Sequence, residues 1–283
     1  MTVASSSSTN GAPPRSAPSN DGSRVLLLEN VHPSAHELFA REGYTIDAVS
    51  RALPEADLRA RLRGVQVLGI RSKTQIRAGL LEAPEAADLL AIGCFCIGTN
   101  QVDLDTANRR GVPVFNAPFS NTRSVAEMVL AEIIALARQL GDRSREVHAG
   151  VWKKVAAGCH EVRGKTLGII GYGHIGSQVG ALAESLGMRV LFYDVVAKLA
   201  LGNCQPVETL APLLAQSDFV TLHVPATPKT HMMIGAAALA EMRVGACLIN
   251  ASRGTVVDID ALAAALRSGH IGGAAVDVFP EEP

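Results

Sequence analysis

Gly171-Tyr172-Gly173-His174-Ile175-Gly176 sets three glycines at the spacing of a dinucleotide-binding turn. Lys165 to Ile170 before it reads as a buried strand, and the residues after it as a helix. In that context the glycines permit a tight turn and close backbone approach. A pyrophosphate can then sit on the helix N-terminus, where amide hydrogens and the helix dipole attract it. Asp194 ends the next predicted strand, Val190 to Tyr193, 23 residues after Gly171. A carboxylate there accepts hydrogen bonds from the adenosine ribose hydroxyls and repels a 2′-phosphate, which points to NAD over NADP. His174 and Ile175 start the helix beside the phosphates. His174 reads as a loop side chain of the cofactor site and not as a catalyst, because the phosphate turn lies far from the nicotinamide end. A second constellation, Arg71-Ser72-Lys73, follows a predicted strand end. Guanidinium, hydroxyl and ammonium together suit a carboxylate or phosphate, and strand-end loops are where such sheets hold ligands.

These groups need a frame, and the apolar pattern supplies one. Short runs at Val25 to Leu28, Tyr44 to Val49, Val65 to Ile70, Leu89 to Phe95 and Val112 to Phe115 read as strands. Helical spacing at Pro33 to Arg41 and at Pro54 to Leu62 falls between them, with Pro54 at a first-turn position. A second series follows Lys165: strands at Phe219 to Val224, Cys247 to Asn250 and Ala274 to Phe279, and helices at Ala236 to Met242 and Ile259 to Arg267. Alternating strands and helices predict an α/β fold of two doubly wound parallel-sheet domains. Residues 124–149 carry one long proline-free helical pattern, with Val125, Met128, Val129, Glu132 and Ile133 recurring at three and four. Such a helix could bridge the domains or pack on a partner chain. The predicted division is a disordered tail over 1–23, a substrate-binding domain over 24–120, and an NAD-binding domain over 121–283 that includes the long helix.

Composition excludes several classes. The chain has 283 residues, 48% apolar and 19% charged, enough to build sizeable cores. A net charge of −1 lacks the basic excess of a free-standing nucleic-acid binder. No uncharged apolar stretch is long enough to cross a membrane. The tail is Ser-rich but lacks the apolar region of a secretory signal. Cys94, Cys96, Cys159, Cys204 and Cys247 include no C-x-x-C pair, and no further ligands stand at zinc spacing, so no metal is expected. They read as free thiols of a cytoplasmic protein, with Cys94 and Cys96 on one face of a strand.

Three segments carry a family resemblance: Gly93 to Asp103 (GCFCIGTNQVD), Phe115 to Glu127 (FNAPFSNTRSVAE) and Asn250 to Asp258 (NASRGTVVD). The last resembles the D-2-hydroxyacid dehydrogenase superfamily at large, and the first two resemble its phosphoglycerate branch. The resemblance runs from about residue 24 to residue 283. It implies a flavodoxin-like substrate domain, a Rossmann NAD domain and hydride transfer between NAD and C2 of a substrate such as 3-phosphoglycerate, as in the first step of phosphorylated serine biosynthesis. Arg253 matches the family's catalytic arginine, whose guanidinium can hold the substrate carboxylate and polarise the 2-oxo group. Glu282, in Asp277-Val278-Phe279-Pro280-Glu281-Glu282-Pro283, matches its catalytic glutamate, which raises the pKa of a histidine and orients it. The family histidine lies in a Pro-His motif downstream of that glutamate, and none of the histidines present matches it. Both domains accordingly read as incomplete at the C-terminal end, and NAD binding with little or no turnover is expected. His223, Ala251, Ser252 and Asp277 match positions near the cofactor. Arg71, Ser72, Lys73 and Asn121 match substrate contacts, and Lys154, after the sole tryptophan Trp152, is a further phosphate contact. A homo-oligomer, dimer or tetramer, is implied. Trp152, just past the long helix, either caps the interdomain core or inserts into a partner subunit, the latter favoured because interfaces enrich Trp. Two alternatives stay open: another D-2-hydroxyacid dehydrogenase, such as a hydroxypyruvate or glyoxylate reductase, and a non-catalytic NAD-binding protein like the superfamily's corepressors.

Overall fold

The computed structural model describes residues 22–281, so most of the predicted Ser-rich tail and Glu282 lie outside the described residues. The chain forms two compact units that meet in sequence at Ser120 and Asn121.

In the first unit, β1 (Arg24–Leu27), β2 (Thr45–Ala48), β3 (Val67–Ile70), β4 (Ala91–Cys94) and β5 (Val114–Asn116) pair in parallel in the order β2-β1-β3-β4-β5. Helices α1 (Pro33–Arg41), α2 (Glu55–Arg61), α3 (Ala78–Leu81) and α4 (Leu104–Arg109) connect them. This is the flavodoxin-like order, and its switch point falls between β1 and β3. The run Val25 to Leu28 shows why β1 is central. Leu26 and Leu28 pack with Leu68, Ile70 and Ile92 on one face, and Val25 and Leu27 pack with Val31 on the other. A strand covered on both faces needs an unbroken apolar run. Asp103 caps α4 by accepting from the Thr106 amide at 2.9 Å. Pro54 sits one residue before the predicted place, as the N-cap of α2.

In the second unit, β6 (Thr166–Ile170), β7 (Arg189–Tyr193), β8 (Gln205–Pro206), β9 (Phe219–Leu222), β10 (Ala246–Asn250) and β11 (Ile271–Val276) pair in parallel in the order β11-β10-β9-β6-β7-β8. Its helices are α5 (Thr122–Ala137), α6 (Leu140–His148), α7 (His174–Ser185), α8 (Leu210–Gln216), α9 (Ala236–Glu241) and α10 (Ile259–Arg267). The order is that of a Rossmann sheet, with the switch point between β6 and β9. Every residue of β6 and β9 is buried.

The structure corrects the single long helix. α5 ends at Ala137, and Gln139 takes a left-handed conformation at φ 54° before α6 begins. No proline marks the break, and the nearest glycine, Gly141, already lies in the first turn of α6. The cause is tertiary: the returning chain donates the His160 amide to the Ala137 carbonyl at 2.8 Å, so the segment after the tryptophan caps α5. α5 belongs to the second unit. Ala126, Val129, Leu130, Ile133 and Ala137 pack with Leu167, Ile169, Val179 and Ala183. Cys94 is the last residue of β4, so Cys96 lies beyond the strand, although both pack on the same core. α3, α4, α8 and β8 are not among the elements that the sequence pattern predicts.

Candidate active site

The glycine turn stands at the second switch point, between the ends of β6 and β9. Gly171 adopts φ 94°, a conformation that glycine takes freely. A Cβ there would also lie 2.6 Å from the His223 carbonyl oxygen. Gly173 is the N-cap of α7, and a Cβ on it would meet no protein atom within 4 Å. It therefore leaves open ground in front of the helix N-terminus, where His174 and Ile175 begin α7. Gly176 is buried, and a Cβ on it would overlap the Gly171 carbonyl. One glycine turns the chain, one leaves room for a phosphate, and one lets the helix close on the strand, which is what a bound dinucleotide requires.

Asp194 follows β7, and its carboxylate is already tied to the turn. It accepts from the Tyr172 amide at 2.8 Å and from the Val196 amide at 3.0 Å. Each oxygen keeps a lone pair for a ribose hydroxyl. Tyr172 stacks on Phe192 of β7 with ring centroids 3.8 Å apart, fixing the turn against the same strand.

His223 follows β9 and donates its amide to the Ile170 carbonyl at 2.7 Å. Its Nε2 lies 3.1 Å from the Thr221 hydroxyl, and its Nδ1 is buried with no partner among the described residues. Burial pushes its pKa down to about 4, so the ring stays neutral. In the unfolded chain the pKa is near 6.5. Stability from this neutral ring is therefore present above pH 6.5 and is lost as pH falls from 6.5 to about 4. His223→Gln, which keeps a polar group opposite Thr221, should remove about 3 kcal/mol of that acid sensitivity. Urea unfolding at pH 7 and pH 4.5 measures it; parallel losses in wild type and variant would refute it.

Asn250 ends β10 and organises the Arg253 turn. Its Oδ1 accepts from the Ser252 amide at 3.1 Å and the Ser252 hydroxyl at 2.9 Å, while its Nδ2 donates to the Arg253 carbonyl at 3.0 Å. Ser252 is buried, Ala251 is half-buried, and the exposed Arg253 donates from Nη1 to the Ser252 carbonyl at 2.6 Å. The Asp277 amide donates to the Asn250 carbonyl at 3.0 Å, which places Asp277 beside this turn at the end of β11. Gly254 lies so close to Phe279 and Pro280 that a Cβ on it would overlap their backbone. The arginine turn and the segment leading to Glu282 are thus in direct contact, although Glu282 itself lies outside the described residues. Glu132 of α5 also belongs to this corner. Burial, and secondarily the Asp277 charge, raise its pKa, and its Oε2 has no partner among the described residues.

In the first unit, Arg71, Ser72 and Lys73 are exposed at the end of β3, at that unit's switch point. A cavity of about 450 Å³ opens beside Arg71, lined also by Asn30, His32, Phe95 and Ser120. Asn121 is exposed at the start of the second unit and makes no side-chain cap on α5. Lys154 is exposed after α6, in the wall of a separate cavity of about 590 Å³ that includes Trp152, Arg138 and Arg143. The structure therefore gathers Gly171, Gly173, Gly176, Asp194 and His223 around one turn, and Ala251, Ser252, Arg253 and Asp277 around another. Asn250 is visible in the sequence only as part of a motif, yet it is the residue that holds the second turn. Among the described residues no group of His, Cys, Asp or Glu is placed to hold a metal, and no helix is long and apolar enough to cross a membrane.

Comparison with known proteins agrees with this geometry. The profile of the D-isomer specific 2-hydroxyacid dehydrogenase NAD binding domain matches residues 130–283. D-3-phosphoglycerate dehydrogenase 1 of Saccharomyces cerevisiae is 58% identical over 260 residues, 92% of this chain and 55% of that protein. D-3-phosphoglycerate dehydrogenase of Escherichia coli is 55% identical over 264 residues, 93% of this chain and 64% of that protein. The chain thus spans between half and two thirds of the length of these relatives. Among solved structures, the TT0316 protein of Thermus thermophilus superposes with a TM-score of 0.84 at 33% identity, covering 92% of this chain and 83% of that one. D-lactate dehydrogenase of Aquifex aeolicus, solved with NAD and lactic acid, gives 0.79 at 30% identity, covering 91% and 77%. The chain belongs to the D-isomer-specific 2-hydroxyacid dehydrogenase family and carries that family's NAD-binding domain.

Proposed function

We propose that the protein oxidises 3-phospho-D-glycerate to 3-phosphooxypyruvate with NAD, the first step of phosphorylated serine biosynthesis. The observation that carries this reading is the identity of 55–58% to D-3-phosphoglycerate dehydrogenases over more than nine tenths of the chain. A bound NAD would supply the hydride acceptor for C2 of the substrate, and the hydroxyl proton would leave to a base. Gly171, Gly173, His174, Ile175 and Gly176 hold the pyrophosphate on the N-terminus of α7, and Asp194 holds the adenosine ribose. Arg253 holds the substrate carboxylate and polarises C2–O through a charge-assisted fork. Arg71, Ser72, Lys73, Asn121 and Lys154 take the remaining anionic and hydroxyl groups of the substrate. Glu282 orients and tunes the base. His223 is not that base: its Nδ1 is enclosed, and a pKa lowered to about 4 makes the ring a poor proton acceptor. A cytoplasmic location and self-association go with this reading. Trp152 is 79% exposed among the exposed Val151 and Val155, a face suited to a second copy in a dimer or tetramer.

Titration of the chain with NADH, followed by Trp152 fluorescence, should give saturable binding roughly 100-fold or more tighter than that of NADPH. With NADH present, 3-phosphoglycerate should bind far more tightly than glycolate, by roughly ten-fold or more. Equal or tighter binding of glycolate would assign the site to an unphosphorylated hydroxy acid.

A further inference from the structure

We infer that Glu29 is the positioning residue of the substrate-anion loop: from beneath, its carboxylate fixes the backbone that presents Arg71, Ser72 and Lys73. This rests on the substrate reading above.

Glu29 follows β1 by two residues, on the other side of the switch point from that loop. It is 7% exposed, and its carboxylate bonds to the neighbouring loop. Oε1 accepts from the Arg71 amide at 3.2 Å and from the Thr74 amide at 2.8 Å, and Oε2 accepts from the Lys73 amide at 2.9 Å. Gln101 closes the other side. It is 1% exposed and donates from its side-chain amide to the Arg71 carbonyl at 2.9 Å and the Gly98 carbonyl at 3.1 Å. Arg71 is therefore held at both its amide and its carbonyl by buried side chains.

The backbone at Glu29 is strained in its own right. Glu29 and Asn30 are consecutive non-glycine residues at φ 65° and 54°. Such conformations persist where surrounding contacts over-determine them, and the three amide bonds of the carboxylate supply that constraint. Burial raises the pKa of Glu29, but the bonds from the Lys73, Thr74 and Arg71 amides help to outweigh it, and the net shift is downward, which favours the ionised group.

The direction of these amides has a chemical consequence. Three amides of the 71–74 turn point inward at a carboxylate, so they cannot form an anion-binding nest on the outer side. On the outer side an anion meets the side chains of Arg71, Ser72 and Lys73, and the Ser72 amide that Glu29 does not engage, beside the cavity that Arg71 shares with Asn30 and His32. Glutamine cannot replace the glutamate, since its NH2 would oppose one of these amides, donor against donor. Aspartate is one methylene too short to reach all three.

The test compares wild type, Glu29→Gln and Glu29→Asp for binding of 3-phosphoglycerate in the presence of NADH, for binding of NADH alone, and for melting temperature. The expected result is a Kd for 3-phosphoglycerate raised roughly ten-fold or more in Glu29→Gln and roughly three-fold or more in Glu29→Asp, with the NADH Kd within about two-fold of wild type. The melting temperature reports a loss of structure around Glu29, since NADH binds in the second unit and Glu29 lies in the first. Lys73→Ala adds a second readout: it should weaken 3-phosphoglycerate binding several-fold in wild type and less than about two-fold in the Glu29→Gln background, because the loop there no longer presents the lysine. Where Glu29→Gln fails to fold, Glu29→Asp carries the same comparison. Wild type that binds 3-phosphoglycerate alongside variants that bind it equally well overturns the role of Glu29 alone. Wild type that ignores 3-phosphoglycerate overturns the substrate reading and this role with it.

Discussion

Gly176→Ala is expected to lower NADH affinity roughly 100-fold or more and to destabilise the second unit by about 1–3 kcal/mol, the usual cost of overpacking a closed core. A Cβ at this position would overlap the Gly171 carbonyl oxygen and approach Ile169 Cγ2 to 3.1 Å. Neither neighbour can retreat. Gly171 is held by its positive φ and by the His223 backbone behind it, and Ile169 is fully buried in β6. The remaining way to relieve the clash is to move α7 away from the sheet. That displaces the amides at its N-terminus from the place where the pyrophosphate sits. Gly173→Ala separates the two effects. Its Cβ meets no protein atom, so the melting temperature should stay near wild type while NADH binding falls, because the methyl group occupies the approach of the phosphate. Thermal melts and NADH titrations of both variants decide the matter. A Gly176→Ala protein that melts and binds like wild type would show that α7 does not close on the turn as described.

The two switch points account for what could be read from sequence. Val25 to Leu28, Val65 to Ile70 and Lys165 to Ile170 are rich in apolar residues because both faces of their strands are covered, and that pattern needs no knowledge of the partner. The glycine turn is equally plain, since strand, glycine spacing, helix and acid all lie within one local stretch. Features set by distant contacts are hidden. The break after Ala137 depends on an amide 23 residues further on, at His160. Glu29 acts on amides 42 to 45 residues away, and nothing near it distinguishes it from a surface glutamate. Glu132 stands in the helical spacing as a repeat position, yet its burial follows from how α5 lies on the sheet. Asn250 is intermediate: its bonds reach only two and three residues ahead, so an asparagine-led turn before an arginine is a usable signal.

Asn250→Asp is expected to cost about 3 kcal/mol at pH 8, an amount that shrinks relative to wild type as the solution is acidified. The two side chains have the same shape, so the effect is one of hydrogen-bond polarity and charge. Asn250 is 1% exposed and uses its NH2 to donate to the Arg253 carbonyl at 3.0 Å. An ionised carboxylate would put an oxygen there, acceptor against acceptor, and would bury a charge that the amide and hydroxyl of Ser252 alone would have to satisfy. Leaving a buried group so mismatched costs about 1–3 kcal/mol, and more when it is charged. Protonation restores a donor. The folded protein therefore raises the pKa of the new carboxyl above its unfolded value near 3.9. A raised pKa means that the folded state binds more protons than the unfolded state between the two values, so stability relative to wild type falls as pH rises through the folded pKa. Asn250→Ala has no proton to gain, and its deficit against wild type should stay constant across the same range. Differential melts of the three proteins from pH 8 to pH 5 distinguish these outcomes. The functional readout follows the same sign, because the Arg253 turn is anchored through this amide: 3-phosphoglycerate binding in Asn250→Asp should recover towards wild type on acidification. A deficit in Asn250→Asp that is independent of pH would mean that the Arg253 carbonyl is not held by this side chain.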